Sequence, residues 1–186
     1  KQHGIYITAD QYAYDAGSTS LNRTVPDWAH AGGLSALIER LRDSHLLPKI
    51  KIGMREDIER RGGPSCIRIC DTKGILPEIE GQTLDMIGNL WGMDPIEAAV
   101  EILLRCDGSA GLITHSISPE DLRTILRQDW ICIGSDGMTY SYEEALSGKP
   151  HPRNFGAFPH FLEMVRNESL MPIETAIYKM TGCPAK

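Results

Sequence analysis

The chain has 186 residues, a formal net charge of −6, 41% hydrophobic and 24% charged residues. That composition is typical of a folded globular protein, with length enough for one domain or for one core plus a sizeable insertion. It excludes a general nucleic-acid surface, which needs a basic face, and no apolar run approaches the roughly 18 residues of a membrane span. No signal peptide is visible, so neither nucleic acid nor membrane is an expected partner. Five cysteines (Cys66, Cys70, Cys106, Cys132 and Cys183) are an odd number at irregular spacing. A reducing, cytoplasmic setting fits them better than a disulfide framework. Cys66 and Cys70 bracket Ile67 and Ile69 as on a half-buried strand. No second pair follows at zinc-finger distance, which favours a structural role.

In chain order, "GIYITADQYAY" (residues 4–14) predicts a strand from its early apolar run and its Ile, Thr and Tyr content. The chain enters this strand almost at once and stops as abruptly in "TGCPAK", as a piece of something longer would. Residues 15–33, rich in Gly, Ser, Pro and Asn, predict an ordered loop. Leu34, Leu37, Ile38 and Leu41 recur at helical spacing. Residues 47–60 predict a second helix that Pro48 and Gly53 interrupt. Around "CIRIC" one or two short strands are expected, then a helix from about Thr83. Asp94 and Pro95 are a strong helix start, a capping carboxylate followed by proline at the first helical position. "AGLITHS" (residues 110–116) is a strand, and Ser118 caps the helix after it, with Asp121 in the place of a capping-box glutamate. "WICIGSD" is a further strand. Two helices close the chain, "FPHFLEMVRNE" and "PIETAIYKMTG", the second with Gly182 as its C-cap.

This alternation predicts an α/β fold, with a right-handed parallel crossover joining residues 110–116 to "WICI". Polar residues at the carboxyl ends of strands in such folds face the ligand. Asp10, Tyr12, Tyr14, His115 and Asp136 lie at or near such ends. Asp136 precedes Gly137 after an apolar run, which is equally a turn signal, so spacing alone leaves turn and chemistry both open.

Three stretches carry a resemblance: "IGSDGM" (133–138), "HPRNFGAFPHFLEMV" (151–165) and "PIETAIYKMTGCPA" (172–185). Together they resemble the C-terminal barrel section of N-acyl-D-amino-acid deacylases, in the amidohydrolase superfamily. "GIYITADQYAYDAGST" is similar to that family's D-x-Y-P-Y strand, with Ala13 where proline is usual. The resemblance runs through the chain in order and is weakest between about Gly53 and Gly81. It implies the C-terminal portion of a metal-dependent (β/α)8 barrel, formed by residues 1–14 and 108–186, carrying a helix-rich insertion over residues 15–107. The implied activity is zinc-dependent hydrolysis of the amide of a small-molecule N-acyl-D-amino acid.

By the same resemblance Asp136 is the catalytic carboxylate, beside the metal and at most a weak ligand to it. Arg153 grips the substrate carboxylate, a task suited to a planar guanidinium. Tyr12 and Tyr14 face the substrate, and strand alternation puts both on one side, so either could be the hydrogen-bonding one. No ligand role carries over to His115, and His151 is loop structure or a polar pocket wall. The family's His-x-His, its cysteine or lysine ligand and two further histidines would lie upstream. The chain alone is therefore expected neither to hold zinc tightly nor to catalyse, and needs the rest of its own barrel as partner. Two alternatives remain: a non-catalytic α/β interaction or regulatory module, with Trp28 and Trp91 as a partner surface, and a sister cyclic-amide hydrolase of the dihydroorotase-like kind. The "HPR" and paired-tyrosine motifs speak against the latter.

Overall fold

The computed structural model describes residues 4, 7–141, 143 and 149–186, and the chain divides into two compact units. The first comprises Lys1–Asp15, Ile117–Tyr140 and Pro152–Lys186. Its sheet is a parallel pair, β1 (Ala9–Gln11) and β5 (Ile131–Ile133), with Ala9 opposite Ile131 and Gln11 opposite Ile133. The expected front strand is thus shorter than residues 4–14, and Ile5 and Tyr6 lie outside the described residues.

Three helices accompany this pair: α5 (Pro119–Leu126), α6 (Arg153–Glu168) and α7 (Ile173–Met180). Ser118 caps α5 as expected, its Oγ accepting from the amides of Glu120 and Asp121. Leu122, Leu126, Ile133, Phe161, Val165 and Ala176 form the apolar centre. Each large side chain buried there contributes roughly 1.5–3 kcal/mol. Lys179, on α7, is buried as well. Its Nζ donates to the Ile131 carbonyl oxygen at 3.0 Å and also to that of Gln128, so its polar end is satisfied where α5 hands over to β5.

Two expectations about the closing helices need correction. Helix α6 begins at Arg153 rather than near Phe158, and Pro159 lies inside it. Proline lacks only its own N–H bond, and the remaining turns carry the helix through. Gly182 is not a left-handed cap, since α7 ends at Met180 with Thr181 as its C-cap and Gly182 does not have a positive φ. Its role is room: a Cβ there would stand 2.9 Å from the Tyr178 ring.

The second unit comprises Ala16–Ser116 and Ser141–His151. It has a three-stranded antiparallel sheet in the order β2 (Gly17–Ser20), β4 (Gly111–Thr114), β3 (Ile67–Asp71). This corrects the expected parallel crossover: β4 is the central strand between β2 and β3, while β5 pairs with β1. Leu112, Ile113 and Thr114 are all buried, and a strand covered on both faces shows no alternation to betray its partner. The Gly/Ser-rich stretch read as loop supplies β2, followed by 3-10 turns at Leu21–Thr24 and Asp27–His30. Its strand is held by backbone pairing to β4 rather than by propensity.

Helices α1 (Gly33–Arg42), α2 (Leu47–Arg60), α3 (Leu84–Trp91) and α4 (Pro95–Arg105) complete this unit. Helix α2 is continuous: Pro48 sits in its first turn, where a missing N–H costs nothing, and Gly53 is a close-packing position. A Cβ at Gly53 would lie 2.2 Å from Pro26 Cγ. Ile50, Met54 and Ile58 bury one stripe of α2 against Leu37, Leu41 and Leu103 of the same core. Asp94 caps α4, accepting from the Ile96 amide at 2.8 Å. No helix among the described residues is long and apolar enough to cross a membrane.

Candidate active site

All three residues of β5 are buried, and the run ends at Gly134. A Cβ at Gly134 would lie 3.1 Å from Asp10 Cβ, so glycine lets the Asp10 side chain cross the strand exit. The chain then turns through Ser135, Asp136 and Gly137. Asp136 has φ +46°, in the left-handed region, which aspartate and asparagine enter more readily than other side chains. The Gly137 amide donates to Ser135 Oγ at 3.2 Å, and the Met138 amide to Asn154 Oδ1 at 2.8 Å. A Cβ at Gly137 would stand 3.1 Å from Asn154 Cα. The turn is therefore docked directly on the first turn of α6.

Arg153 opens α6, and its side chain is only 11% exposed. Its Nη2 lies 2.9 Å from Asp136 Oδ2, while the Asp136 side chain is 70% exposed. The guanidinium also lies over the Tyr12 ring, 4.9 Å from the centroid. A half-exposed pair of this kind adds little to stability. What it offers is chemistry: a solvent-facing carboxylate able to accept a proton, and a flat, oriented cation able to grip a second carboxylate.

Tyr12 and Tyr14 are half-buried on either side of fully buried Ala13. Tyr14 stacks on His160, with ring centroids 4.6 Å apart and planes inclined by 22°. Gly156 lets the Tyr14 hydroxyl approach α6, since a Cβ there would stand 2.8 Å from it. Burial first, and the Glu163 carboxylate second, raise the Tyr14 phenol above its ordinary pKa. His160 Nδ1 is 3.2 Å from Glu163 Oε2. Tyr14, Pro159, His160, Glu163, Ile173 and Ile177 line part of an open groove of about 1360 Å3.

Of the residues expected at the site, the structure sets Arg153 against both Asp136 and Tyr12 and puts Tyr14 further along α6 with His160. Sequence reasoning missed His160 and Glu163. The available signal was the spacing of Arg153, Gly156 and His160, which share one helix face. His151 belongs to the second unit and is buried, with Nε2 donating to the Ala16 carbonyl oxygen at 2.9 Å. His115 is exposed, and its amide donates to the Cys66 carbonyl oxygen. Lys51 and Arg55 pair with Glu97 and Asp94 at 2.9 and 3.0 Å. Arg23 is exposed in the second unit. Among the described residues no group of three His, Cys, Asp or Glu could hold a metal ion.

This mixed α/β fold has its likeness among the D-aminoacylase amidohydrolases, over 99% of the chain. The chain resembles N-acyl-D-amino-acid deacylases. It is 33% identical over 144 residues to the N-acyl-D-aspartate deacylase of Alcaligenes xylosoxydans xylosoxydans, covering 77% of this chain and 26% of that protein. The same organism's N-acyl-D-glutamate deacylase is 33% identical over 111 residues, covering 59% of this chain and 20% of that protein. The structure of N-acyl-D-glutamate deacylase from Bordetella bronchiseptica, complexed with zinc and a phosphonate mimic of the tetrahedral intermediate, superposes with a TM-score of 0.65. Identity is 27%, over 99% of this chain and 29% of that one. A D-aminoacylase structure gives a TM-score of 0.63 at 26% identity, over 99% of this chain and 29% of that one. The chain thus spans between a fifth and a third of the length of these relatives. No protein-family model matches it.

Proposed function

We propose that this chain is the closing section of a (β/α)8 amidohydrolase barrel with its helix-rich insertion, in an enzyme that hydrolyses N-acyl-D-amino acids to a carboxylate and a free D-amino acid. The observation that carries this is the Asp136–Arg153 pair, just beyond the carboxyl end of parallel strand β5, on residues that match the family's motifs. The first unit is the barrel section. The insertion is residues 15–107, nearly all of it within the second unit.

Amide hydrolysis must remove a proton from the attacking water and return one to the leaving nitrogen. A carboxylate in reach of both does this work, and Asp136 is the exposed carboxylate of the cluster. Arg153 takes the substrate carboxylate, with Tyr12 beneath the guanidinium fixing its plane. Tyr14, on the same side, is the second tyrosine for the substrate. A carboxylate fixed on Arg153 and a scissile bond fixed beside Asp136 leave the two remaining groups on the α-carbon in distinct places, which is how such a site selects one enantiomer.

The related zinc-bound enzyme supports a metal in the intact protein. Zinc at a catalytic site takes three protein ligands, and the described residues do not assemble such a set. In this proposal the ligands come from the rest of the barrel, and this chain contributes the base and the carboxylate grip. The test is Asp136→Ala in the enzyme produced from the complete reading frame, followed by release of free D-amino acid from its N-acetyl derivative. Turnover should fall about 10²–10⁴-fold, the usual worth of a general base, with substrate binding changed much less. A variant keeping more than a tenth of wild-type turnover returns Asp136 to a turn residue.

A further inference from the structure

The corner where β5 meets the end of α7 holds two nucleophiles that the proposed chemistry does not use. Cys132, the middle residue of β5, and Cys183, three residues beyond α7, are both free and buried. Their sulfurs are 2.8 Å apart, although 51 positions separate them in the chain. Ordinary packed side chains approach to about 4 Å, so this is a contact between the two thiols themselves. The other cysteines differ. Cys106 turns its sulfur to the Thr72 carbonyl oxygen at 3.9 Å, and Cys70 packs against Ala16 and Ile113.

We infer that Cys132 and Cys183 form a closable dithiol, which a disulfide oxidant converts to an intramolecular bridge pinning the turn after α7 to β5. In the reaction one thiolate attacks a low-molecular-weight disulfide, forming a mixed disulfide and expelling one thiol. The neighbouring sulfur then displaces the second thiol and closes the bridge. The protein loses two electrons and two protons, and the oxidant, glutathione disulfide for example, is reduced to two thiols.

The surroundings fit a slow latch rather than a fast sensor. Burial, and then the hydrogen-bonded Cys183 beside it, push the Cys132 thiol up to about 11. Little of it is the reactive thiolate at neutral pH. Both residues are anchored: Cys132 lies opposite Asp10 in the β1–β5 pairing, and the Cys183 amide donates to the Tyr178 carbonyl oxygen at 2.8 Å. The geometry is set before oxidation, and the long intervening loop makes the bridge effective against unfolding. Its mechanical effect falls on β5, the strand that leads into Asp136.

The experiment treats the chain with glutathione disulfide at about pH 8.5, near the ordinary thiol pKa, then blocks remaining thiols and maps peptides by mass spectrometry. The expected product joins the Cys132 and Cys183 peptides, lacks two hydrogens and separates on reduction. Its thermal midpoint should exceed that of the reduced chain by several degrees, and this rise should vanish in Cys132→Ser and Cys183→Ser. Mapping of the unsubstituted chain decides the matter even if a variant folds poorly. A chain that keeps both thiols free, pairs Cys66 with Cys70 instead, or stops at a mixed disulfide on Cys183 overturns the inference. So does a bridge that leaves the thermal midpoint unchanged. None of these readouts depends on deacylase activity.

Discussion

Replacing Arg153 by lysine in the proposed enzyme keeps the charge and removes the fork. In the structure the Arg153 side chain is nearly buried, its guanidinium over the Tyr12 ring, with one nitrogen 2.9 Å from Asp136 Oδ2. A planar guanidinium grips a carboxylate through two parallel N–H bonds, whereas lysine offers one compact ammonium that need not lie in the same plane. Losing one charged hydrogen bond costs roughly 1.5–3 kcal/mol, or about 10- to 150-fold in kcat/KM. The assay compares an N-acetyl-D-amino acid with the analogue whose α-carboxylate is an amide. The unsubstituted enzyme should already be poor on the amide, and Arg153→Lys should add little to that deficit. Equal loss on acid and amide would refute the reasoning, because Arg153 would then be supporting Asp136 or the helix start rather than the substrate.

Gly53→Ala gains about 1 kcal/mol of helix propensity but drives a methyl into Pro26, an overpacking that costs about 1–3 kcal/mol, so the urea midpoint should fall. An unchanged or raised midpoint would mean that α2 and Pro26 are not in close contact. Asp94→Ala removes the cap of α4 and should cost about 1 kcal/mol by urea denaturation. Burial holds the Cys70 and Cys132 thiols at about 11 against an ordinary 9.0. The unfolded chain therefore loses those protons first, and the stability they contribute, full below about pH 9, should drain away as pH rises through 11. Urea midpoints measured across that interval should fall, and the fall should be shallower in Cys70→Ala and Cys132→Ala.

Where an element is decided by neighbours in sequence, the chain announced it. Asp94–Pro95 and Ser118–Pro119 begin helices where capping chemistry says they should, and the caps are made. Where an element is decided by distant partners, the chain was silent. Ser18 and Thr19 have no strong strand preference, yet they pair with Ile113 and Leu112. "GLIT" is apolar enough for any buried strand, and only the folded chain shows that it lies between β2 and β3 rather than beside β5. Proline misled twice in the same direction. Pro48, expected to interrupt its helix, sits where no amide is needed, and Pro159, at the expected start of the next-to-last helix, costs one bond inside a 16-residue one. The site followed the same division. The motifs singled out Asp136, Arg153 and Tyr12, and Arg153 does meet the other two, whereas the Tyr14–His160 stack depends on how α6 lies along the exit of β1, which no local pattern encodes.

The left-handed backbone of Asp136 bears on how its chemistry can be isolated. Alanine at this position removes the carboxylate and also strains the turn, so a loss of activity in that variant mixes two causes. Asparagine tolerates the same φ and retains an oxygen in the place of Oδ2, while it cannot serve as a base. Glycine keeps the backbone free and deletes the side chain altogether. Compared in parallel, the three substitutions sort fold from function at one residue: asparagine and glycine should preserve the Met138–Asn154 clasp, detectable as slow exchange of the Met138 amide, and still fail in turnover. An alanine variant that exchanged faster at Met138 would measure how firmly the turn itself depends on the kind of residue at its apex.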